Sequence, residues 1–484
     1  MEALKMYIGG KLYSGHGRGY TNFEPANGNP FHTVSTADPS DFERVLESSR
    51  QGQKEWAEMM PVERGRILRK TADLLRLYND ELAELEARDT GKPISETLVV
   101  DIVSGADCLE YFGGIAAGIE GEYMDLGGDF AYIRREPLGV CGGIGAWNYP
   151  LQIACWKSAP ALACGNSMIF KPSEMTPVSA VKLAEIYSEA GLPDGVFNVI
   201  HGDAEIGKMM VAHPDIAKIS LTGEVGTGKA IMKNAAHTLK HITLELGGKS
   251  PIVVFDDADI EEAVYGAMLG NFYTQGEICS NGTRVYVHKS VKKLFIEKLV
   301  EETRKLKIGN PLDPKTQVGA LISEDHFRKV MGYIDWAKIN EVELIIGGER
   351  FHVPDCKDGY FVEPTVFVGK SDDLKIVKEE IFGPVMTILE FEEEDEVIER
   401  ANNTPYGLSA GVFTRDLRRG HRVSNKLEAG ICWINTYNIT PVEIPFGGYK
   451  NSGLGRENGW AAIDHYTQRK TVYVAMEKMQ NPFE

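Results

Sequence analysis

Hydrophobic positions in the first hundred residues recur at helical spacing. The spacing predicts two helices between residues 40 and 95, the first with Phe42, Val45 and Leu46 on its apolar face and the second opened by Pro61. The second segment carries its apolar residues at Ile67, Leu68, Leu74, Leu75 and Leu82. Both helices are expected to be packing elements.

From about Val140 onward, short apolar runs alternate with amphipathic segments. The runs are SMIF, VFNVI, IAKISL and HITLEL, and this alternation predicts a parallel, doubly wound sheet. The helix after SMIF is expected to have Thr176 as its N-cap, Pro177 at its first position and Gly191 just beyond its end.

A second alternating series predicts a second α/β domain, with the boundary near Gly247. Its apolar runs are PIVVFDD, TRVYV, MTILEF, SAGVF and ICWIN. Two more segments, FAYIRRE (130–136) and YTQRKTVYV (466–474), alternate apolar and polar residues and predict a small antiparallel sheet suited to subunit pairing. The predicted fold class is therefore α/β, with two doubly wound parallel-sheet domains and a small antiparallel oligomerisation sheet.

Length and charge exclude some functions. A chain of 484 residues implies two or three domains, and a formal charge of -18 argues against a nucleic-acid partner. The N-terminal residues lack the apolar core of an export signal, and the longest uncharged stretch, 139–156, contains Asn148, Pro150 and Gln152. We expect neither export nor a membrane segment.

The seven cysteines form no CxxC pair and no zinc-like cluster with histidine, so no metal site is expected. An odd number of cysteines in such a chain favours reduced thiols and a cytoplasmic location. Cys279 differs from most of the others because it lies in the polar segment GEICSNGTR, between a helix and the run TRVYV. A polar, partly open turn suits a reactive thiol better than an apolar run does.

Polar residues follow several of the predicted strands, where open parallel sheets bind ligands. Lys171, Ser173 and Glu174 follow SMIF, and a lysine beside an acid suits a dinucleotide ribose. The segment GEVGTGKA (223–230) resembles a phosphate-binding P-loop, but Ala230 has no hydroxyl to bind magnesium. A nucleoside triphosphatase is therefore only a minor alternative. A pyrophosphate near this helix N-terminus is still plausible.

Seven motifs in order give the chain a resemblance to the aldehyde dehydrogenase superfamily along nearly its whole length, and most of all to its betaine aldehyde dehydrogenase branch. The motifs are GAWNYP, FKPSE, the LTG of ISLTGEVG, LELGGKSP, GEICSNGTR, EEIFGPV and PFGGYKNSGLGREN. The resemblance implies NAD-dependent oxidation of an aldehyde to a carboxylic acid through a cysteine thioester, with NADP as a weaker cofactor, and a homo-oligomer, dimer or tetramer.

Carried over position by position, the resemblance assigns site residues. Cys279 is the expected nucleophile, Glu245 the general base and Asn148 the oxyanion donor. The expected cofactor-binding residues are Trp147, Lys171, Ser173, Glu174, Gly223, Glu224, Leu246, Glu380 and Phe382. Glu224 departs from the serine that many members carry, so this carboxylate either points to solvent or weakens pyrophosphate binding.

The resemblance also implies domain bounds. The NAD-binding domain is expected at 1–118 and 138–246, the catalytic domain at 247–447, and oligomerisation segments at 119–137 and 448–484.

A quaternary ammonium substrate has no N–H to donate, so aromatic faces must recognise it. The branch implies Tyr149 and Trp156, seven residues apart and thus on one face of a helix, while Tyr273, Tyr437 and Phe446 are either further members of an aromatic box or ordinary core residues. Glu443 adds negative charge. Three hypotheses stay open: oxidation of betaine aldehyde to glycine betaine or of another ω-ammonio aldehyde, a general aldehyde dehydrogenase, and a non-catalytic relative.

Overall fold

Residues 3–483 are described by the structure, a computed structural model. The strands, in chain order, are β1 Ala3–Leu4, β2 Met6–Ile8, β3 Lys11–Tyr13, β4 Tyr20–Phe23, β5 Pro30–Val34, β6 Glu122–Asp125, β7 Phe130–Pro137, β8 Val140–Ile144, β9 Ser167–Lys171, β10 Phe197–Val199, β11 Ile216–Thr222, β12 His241–Glu245, β13 Pro251–Val254, β14 Arg284–His288, β15 Glu343–Ile346, β16 Thr365–Gly369, β17 Val385–Phe391, β18 Ser409–Phe413, β19 Ile431–Ile434, β20 Gly453–Leu454 and β21 Thr467–Val474.

The α-helices are α1 Pro39–Glu58, α2 Pro61–Leu77, α3 Asn79–Thr90, α4 Ile94–Glu96, α5 Ile102–Ile115, α6 Pro150–Ala163, α7 Val178–Ala190, α8 Ala204–Ala212, α9 Val225–Ala235, α10 Ile260–Leu269, α11 Lys292–Thr303, α12 Glu324–Ile339, α13 Lys375–Lys378, α14 Glu394–Asn402, α15 Leu417–Ser424 and α16 Ala461–Tyr466. A π-helical turn, Thr97–Asp101, joins α4 to α5, and a 3₁₀ turn, Tyr273–Gly276, follows α10.

Two large sheets form the centre of the fold. The first has the order β20-β12-β11-β8-β9-β10-β2-β3, with β12 to β10 mutually parallel and the outer strands antiparallel. The second has the order β15-β16-β17-β14-β13-β18-β19 and is parallel except for β15. Central strands such as β9 and β13 are buried along their whole length, because helices cover both faces of a doubly wound sheet.

The predicted fold class is confirmed, including the small antiparallel sheet of order β21-β7-β6, in which β7 and β21 pair from Phe130–Val474 to Pro137–Thr467. The strands β2 and β3 extend the first sheet, and β15 and β16 extend the second. These four short strands were not predicted from the sequence. Among residues 3–483, no helix is long and apolar enough to cross a membrane.

Two local predictions were wrong. Residues 40–95 form more than two helices, because the chain breaks at Tyr78 and restarts as α3 with no proline or glycine to mark the boundary. The α7 helix begins at Val178, with Pro177 in the cap position, and the buried Thr176 hydroxyl has no hydrogen-bond partner among the described residues. The predicted end at Gly191 is correct, since this residue adopts the left-handed conformation with φ 100°.

Candidate active site

A cavity of about 860 Å³ lies between the two large sheets, where loops from both meet. Most of the residues predicted from the sequence line it. These are Trp147, Asn148, Tyr149, Trp156, Gly223, Glu224, Glu245, Leu246, Tyr273, Cys279, Glu380, Phe382 and Phe446. Lys171, Ser173, Glu174 and Tyr437 are outside its lining.

Cys279 is partly buried at the cavity wall, on the loop between the Tyr273–Gly276 turn and β14. Burial raises the pKa of the thiol to about 12, and the nearby carboxylates of Glu245 and Glu380 act in the same direction. The thiol is therefore protonated at neutral pH in this arrangement. A base or a positive charge must act on it before it can attack as a thiolate.

Asn148 is tied to the same loop. Its Nδ2 donates to the backbone carbonyl of Glu277 at 2.9 Å, and the side chain is buried. An amide nitrogen carries two hydrogens, so the second remains available for an oxygen held near Cys279. One hydrogen bond thus fixes the predicted oxyanion donor against the loop of the predicted nucleophile.

Glu245 ends β12 and is 5% exposed. Neither of its oxygens has a hydrogen-bond partner among the described residues. Burial raises the pKa of this carboxyl well above its usual value, and the charge of Glu457 raises it further, against the opposing effect of Lys157. Gly447 leaves the room that the carboxylate needs, because a Cβ at this position would lie 2.6 Å from Glu245 Oε1.

A buried ion pair lies behind Glu245. The Nζ of Lys157 is 2.5 Å from Glu457 Oε1 and 3.0 Å from the hydroxyl of Ser220, which itself donates to Glu457 at 2.8 Å. These residues were not predicted. The lone lysine in the otherwise uncharged helix PLQIACWKSAPALA was the available signal, because a buried charge needs a partner.

On another wall, Glu380 Oε1 accepts from the backbone N–H of Gly248 at 3.1 Å, and burial raises the pKa of Glu380 to about 7. Phe382 adopts a positive φ of 63°, and its carbonyl accepts from His326 Nε2 at 2.6 Å. Trp147 packs edge-on against both rings at 5.3 Å. His326 was not predicted, and it joins α12 to the segment of Glu380 and Phe382.

The segment after β9 lies beside the cavity. Lys171 is buried, and its Nζ donates to Glu174 Oε1 at 3.0 Å and to the Pro172 carbonyl at 3.3 Å. The hydroxyl of Ser173 accepts from the backbone N–H of Met175, a residue that lines the cavity. This geometry keeps a positive and a negative group together at the end of one parallel strand.

The helix α9 begins at the cavity, directly after Gly223 and Glu224. Glu224 occupies the cap position, but its side chain makes no capping hydrogen bond. The backbone N–H groups of the first turn are thus left without a side-chain cap, which is the arrangement that binds phosphate groups. Glu224 is exposed, which favours the first of the two alternatives above, a carboxylate in solvent.

Aromatic side chains form the remaining wall. Trp156 and Phe446 meet edge to face at 5.6 Å, and the Trp156 indole donates to Ser104 at 3.3 Å. Tyr149 precedes α6 and so is not on a helix face, yet it lines the same cavity as Trp156. The exposed Glu443 also contributes to the lining.

Tyr437 is a core residue. It is fully buried against Trp433 at 4.7 Å, and its hydroxyl donates to the carbonyl of Ser280 at 2.8 Å. Its predicted place in an aromatic box is therefore corrected, because both its ring and its hydroxyl are engaged beneath the loop that carries Cys279.

The turn before Cys279 is strained. Thr274 and Gln275 have φ values of 50° and 42°, and Gly276 follows with 78°. A left-handed conformation costs about 1–2 kcal/mol for each residue that has a Cβ. Nothing in the sequence predicted this turn.

The only metal-like cluster among the described residues lies on the N-terminal side of the fold. It consists of His16, Asp38 and Asp41, and the two carboxylates already accept backbone N–H groups at the start of α1. This cluster is therefore explained by helix capping.

Comparisons with known proteins agree with one another. A family model described as the aldehyde dehydrogenase family matches residues 13–472. The chain is similar to betaine aldehyde dehydrogenases from Brucella anthropi, 59% identical, and Mesorhizobium japonicum, 58% identical, each over 95% of this chain and 94% of the relative.

Solved structures give the same result. The NAD⁺ complex of an aldehyde dehydrogenase from Bacillus cereus superposes with a TM-score of 0.96 at 42% identity, covering 98% of this chain and 97% of that one. A betaine aldehyde dehydrogenase point mutant from Staphylococcus aureus, in complex with NAD⁺, gives 0.95 at 38% identity, with 99% and 97% coverage.

Proposed function

Because the chain belongs to the aldehyde dehydrogenase family, we propose that it oxidises an aldehyde to a carboxylic acid with NAD(P), through a thioester on Cys279. One observation supports this most. A single cavity brings together a thiol, an amide tied to the thiol's own loop, and a buried carboxylate whose oxygens accept no hydrogen bond from the part of the chain that the structure describes. These are the groups that acyl transfer through a cysteine requires.

The residues present fit a bound nicotinamide dinucleotide. The uncapped first turn of α9 offers N–H donors to a pyrophosphate, and Lys171 with Glu174 offers a donor and an acceptor to a ribose. Gly247 permits the close approach of Glu380, since a Cβ there would lie 2.0 Å from the carboxylate. When bound, the nicotinamide accepts a hydride.

The protein's own groups account for the other steps. The Cys279 thiol gives its proton to water and the thiolate attacks the aldehyde carbon. The carbonyl oxygen becomes an oxyanion that the Asn148 amide and the Cys279 backbone N–H stabilise. One such donor typically contributes about 3–4 kcal/mol. After loss of hydride, the carbon is a thioester. Glu245 then takes a proton from water, which attacks the thioester and releases the acid and the Cys279 thiol.

NAD is the proposed preferred cofactor over NADP. The carboxylate of Glu174 can accept from ribose hydroxyls, whereas it repels a 2′-phosphate. Glu174 also forms an ion pair with the Lys171 ammonium, which would otherwise attract the 2′-phosphate of NADP.

Replacing Glu174 with glutamine should narrow this preference, because the repulsion disappears and Lys171 is released. The NAD/NADP ratio of kcat/KM is expected to fall at least about fivefold, since a hydrogen bond to a charged group contributes about 1.5–3 kcal/mol. Steady-state kinetics with both cofactors measures it. Glu185→Gln, an acid on the outer surface of α7 paired with Lys182, is the control. A ratio equal to that of the wild type would refute the role of Glu174.

Betaine aldehyde, oxidised to glycine betaine, is the proposed substrate. The names of the relatives suggest it, and the cavity supports it with the Trp156 and Phe446 rings and with the exposed, acidic Glu443 in its lining. Aromatic faces attract a quaternary ammonium without needing a hydrogen bond. A negative side chain in the lining favours a cation over a neutral aldehyde.

Replacing Trp156 with alanine should weaken betaine aldehyde far more than a neutral aldehyde of similar size. A desolvated cation-π contact of about 2 kcal/mol corresponds to roughly thirtyfold in kcat/KM, and loss of size alone affects both substrates. Parallel assays with betaine aldehyde and 3,3-dimethylbutanal, its neutral isostere, measure the difference. If kcat/KM falls by the same factor for both substrates, Trp156 is only a packing residue. The hypothesis of a general aldehyde dehydrogenase is then favoured.

Another ω-aminoaldehyde is the second candidate, because the same rings and acid also suit a primary ammonium. NADH absorbance with a panel of betaine aldehyde, aminoaldehydes, aliphatic and aromatic aldehydes separates the candidates. If no aldehyde in the panel produces NADH, the third hypothesis, a non-catalytic relative, is favoured.

Three further proposals concern the whole molecule. The antiparallel strands β6, β7 and β21 carry exposed Tyr123, Met124 and Tyr473, which favours subunit pairing there into a dimer or tetramer. All seven cysteines are unpaired, which favours a reducing cytoplasm. The domain bounds given above from the sequence remain a prediction.

A further inference from the structure

The left-handed turn Thr274–Gly276 sets the position of Cys279, which lies three residues beyond it. Its first residue is the least suited to the conformation, because threonine is β-branched and rarely adopts a positive φ. Such a residue persists only where its surroundings hold it. The groups that hold Thr274 are therefore part of what positions the thiol.

Glu96 holds the start of this turn. Its Oε2 accepts from the backbone N–H of Thr274 at 3.0 Å and from the Thr274 hydroxyl at 3.0 Å. Glu96 is 4% exposed and lies 178 residues away in sequence, where α4 passes into the π-helical turn. Burial raises the pKa of Glu96 to about 8, while the bonds from Thr274 and the charge of Lys92 favour the carboxylate.

The same carboxylate reaches the substrate wall. The Thr274 hydroxyl gives its proton to Glu96, so the Tyr149 hydroxyl, 2.7 Å from it, is the donor of the next hydrogen bond. Tyr149 directly follows Asn148 and lines the cavity. Lys92 Nζ lies over the Tyr149 ring, 3.7 Å from its centroid, and is paired with Asp101.

The other end of the turn is held by different groups. Gly276 lies against the backbone of Gly383, where a Cβ would approach to 2.2 Å, and Gln275 Nε2 donates to Glu277 at 3.0 Å. Among these groups, Glu96 alone accepts from the backbone N–H of Thr274, whereas the Thr274 carbonyl accepts from the backbone N–H of Glu277 at 2.8 Å within the turn. Removing the carboxylate should therefore release one end of the turn and leave the other in place.

We propose that Glu96 is a positioning residue that holds the left-handed turn before Cys279 and, through the Thr274 hydroxyl, the ring of Tyr149. Glu96 is outside the lining of the cavity that contains Cys279. The inference rests on the proposed function, because it takes Cys279 as the nucleophile.

Glu96→Ala should lower kcat by about 100-fold, since a misplacement of about 1 Å at the reacting centre can cost that much. The rate of Cys279 alkylation by iodoacetamide should change at least about fivefold, while the Kd for NAD changes less than about twofold. Alkylation reports the thiol directly, whereas a purely structural role would alter only the folded fraction.

Three variants sharpen the test. Glu96→Gln keeps a carbonyl acceptor and should stay within about threefold of the wild-type kcat. Adding Thr274→Gly to Glu96→Ala should recover most of the wild-type alkylation rate, because glycine enters the left-handed region without strain. Asp41→Ala is the control, since Asp41 is also a buried carboxylate that accepts two backbone N–H groups, but outside the cavity.

The proposal is overturned if Glu96→Ala keeps the wild-type kcat and the wild-type rate of Cys279 alkylation. It is also overturned if Glu96→Ala and Asp41→Ala have the same Tm and lose the same share of kcat and alkylation rate. If Glu96→Ala does not fold, Thr274→Val decides, because it deletes only the hydroxyl link. Its kcat should fall about tenfold, in line with one lost hydrogen bond of about 1.4 kcal/mol, and an unchanged kcat overturns the proposal. If Cys279→Ala still oxidises aldehydes, the proposed function itself is wrong.

Discussion

Cys279→Ala should abolish aldehyde oxidation, with kcat reduced by at least about 10⁴-fold, because Cys279 is the only thiol among the described residues that line the cavity. Loss of a catalytic nucleophile in other enzymes costs up to about 10⁶ in kcat. Binding of NAD should stay within about twofold, since alanine removes only the sulfur. NADH absorbance measures turnover, and a fluorescence titration measures the Kd.

Cys432→Ala is the matched control, because Cys432 is also partly buried but lies outside the cavity and donates to the Ser424 carbonyl. It should keep full activity. More than about one hundredth of the wild-type rate in Cys279→Ala would eliminate the thioester mechanism.

Glu245→Gln should allow acylation and stall hydrolysis, because glutamine keeps the shape of the side chain but cannot take a proton from water. A burst of NADH about equal to the enzyme concentration should precede a steady rate that is lower by about 10²–10⁴-fold, the usual contribution of a general base. Stopped-flow absorbance resolves the burst from the steady state.

The pH dependence gives a second measurement of Glu245. Its raised pKa means that the ionised base becomes available only as the pH rises through that pKa, so wild-type deacylation should accelerate with pH and the glutamine variant should lose this rise. Asp41→Asn should leave both burst and pH profile unchanged. Normal turnover without a burst in Glu245→Gln would assign the base to another group.

The sequence predicted the parts of the fold that follow from local patterns. The runs SMIF and PIVVF are apolar throughout because they lie in central parallel strands, so their pattern is strong. The break at Tyr78 has no such signal, because no glycine or proline stands at the end of α2 and no side-chain cap begins α3. Strands of three residues, such as β2, are set by their neighbours and have too few positions for a periodicity.

The same distinction between local patterns and distant contacts applies to the residues of the candidate site. Cys279, Glu245 and Asn148 were found through motifs in which each chemical group stands among recognisable neighbours. Glu96 and Lys157 were missed because their partners are 178 and 300 residues away, and a single sequence carries no sign of such pairing. Tyr437 was misplaced because an aromatic residue in a core and one in a binding wall look alike in sequence.

The topology of the first sheet also bears on the order of synthesis. The strand beside Glu245, β20, belongs to the last part of the chain, and Glu457 follows it to meet Lys157. On a ribosome, the whole second sheet emerges before these residues do. The wall around Glu245 therefore stays incomplete until β20 and Glu457 have been made, after every strand of the second sheet. The long loop closed by β20 also adds a non-local step to folding, of the kind that slows it.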